Sequence, residues 1–77
     1  MNNIVAFNFS NPNDVALQIA ARVNARRLEL DLTREGLAAR AGIEFASYRR
    51  FEQTGEISLR GLLQIGFALN TLSEFDA

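Results

Sequence analysis

The sequence predicts a single all-α domain of five helices, preceded by a short extended N-terminal arm. Apolar residues recur near helical spacing along most of the chain. Capping residues and pairs of apolar residues bracket several of the expected helix starts. The chain has 77 residues, of which 48% are hydrophobic, and no linker divides it. This size suits one small core, so residues 1–77 are expected to form one domain.

The first helix is predicted at about residues 12–30. Asn11 can cap it, Pro12 suits its first position, and Asp14 lies favourably in its first turn. Apolar residues then follow near helical spacing at Val15, Ile19, Val23 and Leu30. Asp31 is the expected end, because a short polar residue tolerates the reversal of the chain.

Two short helices with a glycine between them are predicted over residues 32–53. Thr33 caps helix 2, at about 34–41, and Gly42 ends it in the left-handed conformation. Helix 3 follows at about 44–53. A tight glycine turn between two helices is the pattern of a helix-turn-helix, which presents its second helix to the major groove of DNA.

The remaining helices are expected after a turn at residues 54–56. Ser58 caps helix 4, at about 59–69, and Asn70 ends it. A short fifth helix is expected at 72–77. The buried stripe of helix 4 is predicted to consist of Leu59, Leu62, Leu63 and Leu69. Staple pairs mark the starts of helices 2, 3 and 4: Leu32 with Leu37, Ile43 with Tyr48, and Ile57 with Leu62.

Three glycines fall inside these predicted helices, where each costs about 0.8–1 kcal/mol relative to alanine. They are Gly36, Gly61 and Gly66. Gly66 falls where a small residue would permit close approach of two helices, whereas the sequence offers no such reason for the other two. A small domain with these costs is expected to gain stability from dimerisation.

The N-terminal arm, residues 1–10, has a different character. Its segment 4–9 is β-branched and aromatic with partial alternation, which favours an extended strand. Such a strand needs a partner, either the same segment of a second subunit or the helices of its own chain. The alternative is a frayed tail, which would leave the rings of Phe7 and Phe9 in water.

Composition excludes several classes of function. The chain has no cysteine and no histidine, so it lacks a disulfide framework, the usual general base and the commonest metal ligands. We expect no enzymatic activity, no cofactor and no metal. No apolar run approaches the roughly 18–20 residues of a membrane span, and the N-terminus lacks the basic section of a signal peptide. We therefore expect a cytoplasmic protein without a membrane partner.

The net charge of −1 conceals an uneven distribution. Residues 20–50 hold seven arginines and four acidic residues, whereas residues 51–77 hold one arginine and four acidic residues. The basic part coincides with the predicted helix-turn-helix, where a phosphate-facing surface is expected. All eight basic residues are arginine, which forks onto phosphate or guanine better than lysine does.

A set of short motifs lies in register along the chain: Leu32-Thr33, Leu37-Ala38, Ala41-Gly42-Ile43, Phe51-Glu52, and the spaced residues Leu63, Ile65, Ala68 and Leu69. Over about residues 17–70 this set resembles the Cro/phage-repressor (XRE) helix-turn-helix family. Residues 26–33 and 51–69 more specifically resemble HipB-type antitoxin regulators.

The resemblance implies a compact five-helix, lambda-repressor-like fold and sequence-specific binding of double-stranded DNA. It implies a transcriptional regulator that binds a palindromic operator as a homodimer and represses its own promoter. For the antitoxin subtype it further implies a toxin–antitoxin pair with a kinase-like toxin as the partner. It also implies a bacterial or phage protein associated with the nucleoid. Glu52 matches a glutamate that braces the fold in this family.

Helix 3 carries the predicted base contacts. Tyr48 and Phe51 should face the core. The outward residues are then Phe45, Ala46, Arg49 and Arg50. An outward arginine can fork onto guanine, with about 1–3 kcal/mol of discrimination for a good pair. Phe45 and Ala46 have no donors, so they can touch only thymine methyls or sugars.

Phosphate contacts are predicted at Arg34, Ser47 and Thr54. Arg34 stands at the first position of helix 2, where the family that the chain resembles commonly carries glutamine. Ser47 and Thr54 offer neutral hydroxyl groups, which contact phosphates in many DNA complexes.

These assignments have structural alternatives. Arg49 and Arg50 can form a solvated face, or they can pair with Glu52 or Glu56. Phe45 can belong to the core instead of contacting DNA. Arg26 and Arg27 are more typical of solvent-facing or helix-packing residues than of DNA ligands.

The whole chain also has an alternative function, a protein-interaction module on the same fold with little or no DNA binding. Glu44, at the start of helix 3, suits the helix dipole but repels a nearby phosphate. The acidic residues of 51–77 and the pI of about 5.3 favour the same alternative.

Overall fold

The computed structural model describes residues 11–76, and the side chains of residues 11–72. This part of the chain forms four α-helices and no strand: α1 Pro12–Glu29, α2 Arg34–Ala41, α3 Phe45–Thr54 and α4 Leu59–Asp76. α1 packs against α3, and α2 packs against both α3 and α4. The predicted all-α class is confirmed. The arm predicted at residues 1–10 lies outside the described residues.

The capping residues predicted for helices α1, α2 and α4 are confirmed. Asn11, Thr33 and Ser58 each accept, through the side-chain oxygen, a hydrogen bond of 2.9 Å from the backbone N–H three residues later. Each bond satisfies a donor that the start of a helix leaves without an intrahelical partner. These local bonds fix where three of the four helices begin.

Residues in the left-handed conformation follow the first three helices. Asp31 has a φ of 58°, Gly42 of 74° and Gly55 of 81°. Gly55 must be glycine for a second reason, because a Cβ there would lie only 2.8 Å from the Cβ of Ala16. The end of α3 therefore rests directly on α1.

The fifth helix predicted at residues 72–77 is not a separate element, because α4 continues to Asp76. Asn70 does not end it, since asparagine inside a helix costs only about 0.7 kcal/mol or less relative to alanine, and no glycine or proline follows. The hydroxyl of Thr71 donates to the carbonyl of Phe67 at 2.9 Å and so is satisfied within the helix. The described part has four helices where five were expected.

The core lies between the helices, and its buried residues are Ala20, Val23, Leu37, Ala38, Ala41, Tyr48, Phe51, Ile65 and Ala68. The stripe predicted for α4 is wrong at Leu59 and Leu63, which are 73% and 63% exposed. Ile65 takes the core position instead, and residue 63 lies about 200° around the helix from it. Leu62 and Leu69 pack partly buried against the core, as predicted.

The helical glycines have the opposite roles to those predicted: Gly36 and Gly61 have a steric reason to be glycine, and Gly66 has none in the described part of the chain. A Cβ at Gly66 would meet nothing within 4 Å, so no close approach within the described chain requires glycine there. A Cβ at Gly36 would lie 3.0 Å from the Oγ1 of Thr33, and one at Gly61 would lie 2.9 Å from the Cγ1 of Ile57. Glycine at these two positions makes room for the residues at the starts of α2 and α4.

A matched pair of alanine substitutions tests this difference. We expect Gly66→Ala to raise the free energy of unfolding by about 0.8–1 kcal/mol, because it adds helix propensity without a clash. Gly61→Ala should lower it, since the new methyl group would crowd Ile57 and the capping hydroxyl of Ser58. Urea denaturation of both variants measures the effects, and a stabilised Gly61→Ala would contradict the steric account.

Candidate nucleic-acid interface

A buried polar cluster fixes the position of α3. The carboxylate of Glu52 accepts hydrogen bonds from the Nε of Arg27 at 3.1 Å, the Nε of Arg34 at 2.7 Å and the hydroxyl of Tyr48. Its side chain is only 7% exposed. Because these partners belong to three helices, one carboxylate joins α1, α2 and α3. The structural role expected for Glu52 is supported by these contacts.

Arg27 is fully engaged in this cluster and is 5% exposed. Besides Glu52, its terminal nitrogens donate to the carbonyl of Leu32 and to the Oδ1 of Asn24, each at 2.7 Å. The first of these bonds holds the segment that leads into α2. Arg27 is therefore a helix-packing residue, which is one of the two structural roles that the sequence suggested for it.

The cluster changes the proton affinities of its members. Burial opposes the charge of Glu52, but hydrogen bonds from Tyr48, Arg34 and Arg27 outweigh it and lower the pKa of the carboxyl. Burial and the hydrogen bond to Glu52 raise the pKa of Tyr48. The hydrogen bond with the same carboxylate raises the pKa of Arg34. Near neutral pH the cluster thus contains an ionised Glu52 that is hydrogen-bonded to a neutral Tyr48.

The turn between α2 and α3 sets the direction in which α3 leaves. Gly42 is left-handed, and the N–H groups of Gly42 and Ile43 donate to the carbonyls of Ala39 and Ala38 at 3.2 and 3.0 Å. From α4, the side-chain amide of Gln64 donates to the carbonyl of Ala41 at 3.0 Å. The predicted glycine stop is confirmed, and α4 supports it.

The inward and outward faces of α3 agree with the predicted division. Tyr48 and Phe51 are 0% and 1% exposed. The exposed residues of this helix are Ala46, Ser47, Arg49, Arg50, Gln53 and Thr54. Among the residues predicted to touch DNA, only Phe45 is half-buried.

Phe45 supports Arg49 and is not part of the core cluster. The guanidinium carbon of Arg49 lies 5.4 Å from the centre of the Phe45 ring, within the range of a cation–π contact. The ring also lines a groove between α1 and α3, together with Arg34 and Gln53. This contact limits the conformations of an exposed arginine and holds its guanidinium at the surface.

Arg50 pairs with Glu56, one of the two alternatives that the sequence left open. Its terminal nitrogen lies 2.5 Å from the Oε1 of Glu56, and the two side chains are 68% and 63% exposed. Ion pairs this open to water are weak, because water and salt compete for both charges. The ion pair therefore leaves the guanidinium of Arg50 accessible to another hydrogen-bond acceptor.

Arg34 lies at the first position of α2, as predicted, but its Nε is bound to Glu52. The side chain is still 52% exposed. Within the described residues its two terminal nitrogens form no hydrogen bond, so a phosphate can bind them while the bond to Glu52 persists.

The hydroxyl of Thr54 is used within α3 and in the turn that follows it. It donates to the carbonyl of Arg50 at 2.8 Å and accepts from the N–H of Glu56 at 3.1 Å. A phosphate contact at Thr54 would have to replace the first of these bonds. Ser47 is exposed and lines a groove of about 360 Å³ beside Arg50 and Gln64.

The start of α3 differs from the other helix starts in the described part. The helix begins at Phe45, one residue later than predicted, and Glu44 is its N-cap, whose side chain makes no capping hydrogen bond. The first amides of α3 therefore keep their donors for solvent or an anion. The carboxylate of Glu44 opposes an anion at the same place.

Gln53 was not among the residues predicted to contact DNA. It is exposed and comes four residues after Arg49, so it lies on the same side of α3. A glutamine side chain can pair with both the N6 and N7 groups of adenine. Helical spacing from Arg49 was the signal that could have identified it.

We expect Glu52→Gln to lower the free energy of unfolding by about 3–5 kcal/mol at neutral pH, because the buried charge of Arg27 loses its counter-charge. The folded pKa of Glu52 lies below the unfolded value near 4.5, so its stabilisation is present above that value and is lost as the pH falls through the folded pKa. Between pH 7 and pH 3 the melting temperature should therefore fall more steeply for the wild type than for the variant. Glu35→Gln, at an exposed site on α2, is the control, and an equal effect of both substitutions would contradict the role of the cluster.

Comparison with known proteins identifies no relative of this chain: no family model, no curated protein and no solved structure matches it. Two further findings concern the described residues alone. They contain no group of three or more potential metal-ligating side chains, and no helix among them is both long and apolar enough to cross a bilayer.

Proposed function

We propose that this protein binds double-stranded DNA by placing α3 in the major groove. The observation that carries the proposal is the outward face of α3, where Arg49, held over Phe45, lies beside the exposed Arg50. The helix is 10 residues long, or about 15 Å, and the major groove of DNA is wide enough to admit an α-helix. The left-handed Gly42 and the buried Glu52 fix the orientation of this face relative to α2.

The side chains divide into base and phosphate contacts. Arg49 and Arg50 are suited to the O6 and N7 acceptors of guanine, Gln53 to adenine and Ala46 to a thymine methyl. Phosphates would be bound by Arg34, Ser47 and the amides at the start of α3. Base contacts would then come from α3, and phosphate contacts from the starts of α2 and α3.

In this proposal the protein acts as a dimer that represses its own promoter. A two-fold operator requires two recognition helices one turn of DNA apart, about 34 Å between centres. The antitoxin subtype rests on the resemblance of residues 26–33 and 51–69. It requires a kinase-like protein encoded beside this one, and a neighbouring gene of another kind would remove the case for it.

The alternative, a protein-interaction module, has its own support. Both Arg34 and Arg50 are paired with glutamates, and the free carboxylate of Glu44 lies at the start of α3. These features weaken the attraction of the α3 face for phosphates. The two proposals differ in whether salt-sensitive binding to DNA exists at all.

A titration against DNA from upstream of the protein's own gene, at two salt concentrations, separates them. We expect Arg50→Ala to weaken binding to that DNA by about 1–3 kcal/mol and to leave binding to a scrambled duplex nearly unchanged. Arg34→Ala should weaken binding to both duplexes and reduce the slope of log K against log salt by about 1.

The control is Arg22→Ala, which removes an exposed arginine from α1 and should have little effect on either duplex. Thermal melting of each variant is needed beside it, because Arg34 also binds Glu52. If the wild type shows no salt-sensitive binding to its upstream DNA, the interaction-module proposal replaces this one.

A further inference from the structure

The outer face of α4 carries large apolar side chains that the described chain leaves exposed. Leu63 and Phe67, one turn apart, are 63% and 75% exposed, and Leu59 at the edge of the same face is 73% exposed. This face is directed away from Ile65, which is buried. Contiguous exposed apolar side chains on a small protein are typical of an interaction surface.

A groove runs beside this face. It has a volume of about 650 Å³, extends along α4 from Arg60 to Leu72, and is bounded on its other side by Arg40 and Ala41 of α2. Phe67 stands at its rim. The groove therefore offers an apolar recess directly next to a projecting aromatic ring.

The charges on α4 have a symmetric register about Phe67. Arg60 is exposed and comes seven residues before it, and position 74, seven residues after it, is a glutamate. Seven residues are close to two helical turns, so positions 60, 67 and 74 lie on one stripe. The backbone helix continues to residue 76, so position 74 belongs to it.

We propose that α4 pairs in antiparallel orientation with α4 of a second copy of this chain, with the helices crossing at Phe67. A two-fold axis there places Arg60 of each copy opposite Glu74 of the other, twice in the dimer. It also brings the Phe67 ring of each copy to the groove of the other. A parallel arrangement would place Arg60 against Arg60 and Glu74 against Glu74, so the charge pattern selects the antiparallel one.

The second copy is the occupant that the charge pattern favours. The surface is self-complementary, since the same helix supplies the apolar centre, the cation and the anion that an isologous interface needs. The proposal deepens the proposed function and rests on it only in that a two-fold operator requires a dimer. Self-association is measured without DNA, so the two proposals can fail separately.

Sedimentation equilibrium of the full chain at low salt tests the pairing. We expect Arg60→Glu and Glu74→Arg each to weaken dimerisation by about tenfold or more, because each turns two attractions per dimer into two repulsions. The double variant Arg60→Glu/Glu74→Arg should recover most of the wild-type affinity. Arg22→Glu makes the same change of charge on α1 and should have little effect.

Two further variants keep the test decisive. Phe67→Ser should reduce dimerisation while thermal melting shows a folded monomer, since the ring is 75% exposed. Deletion of residues 1–9 should leave dimerisation unchanged if α4 is the interface. A wild type that stays monomeric at all concentrations, a double variant without recovery, or loss of the dimer only on deletion of residues 1–9 would each overturn the proposal.

Discussion

The carboxylate of Glu52 determines how α3 is oriented in this protein. It lies on α3 and is held by Arg27 from α1 and Arg34 from α2, so the rotation of α3 about its axis is fixed at that point. A buried charge is expensive to desolvate, and only several well-placed donors offset that cost. The outward directions of Arg49 and Arg50 depend on this arrangement, since both lie within three residues of Glu52 on the same helix.

The exposed arginines combine local restraint with accessibility. Arg49 rests on Phe45, Arg50 pairs with Glu56, and Arg34 keeps two nitrogens beyond its bond to Glu52. Contacts of this kind reduce side-chain freedom at little cost when another acceptor arrives, because water already competes for them. In the proposed complex the arginines would thus lose less entropy than freely moving side chains do.

Sequence reasoning succeeded where the physics is local. Thr33 and Gly42 act through bonds within a few residues, so the bounds of α2 followed from the chain alone. The outward position of Leu63 could not be predicted in this way, because Leu63 and Ile65 are both apolar and hydrophobicity alone marks each as a core candidate. Only the packing of α4 against α2 selects Ile65 for the core. The bond between Arg27 and Glu52 spans 25 residues, and no local pattern encodes it.

α4 links the two proposed surfaces, since Gln64 lines both the groove beside Ser47 and Arg50 and the groove beside Phe67. Gln64 holds the carbonyl of Ala41 at the turn that leads into α3, and it lines the same groove as the exposed Leu63 and Phe67. No residue of α3 lines this groove in the described part of the chain. The position of the second copy would be coupled to the turn between α2 and α3 through α4, which contacts that turn at Gln64. The spacing of two recognition helices on DNA would then be set by the angle at which the α4 helices cross, because each α3 is fixed to its own α4 through α2 and Gln64.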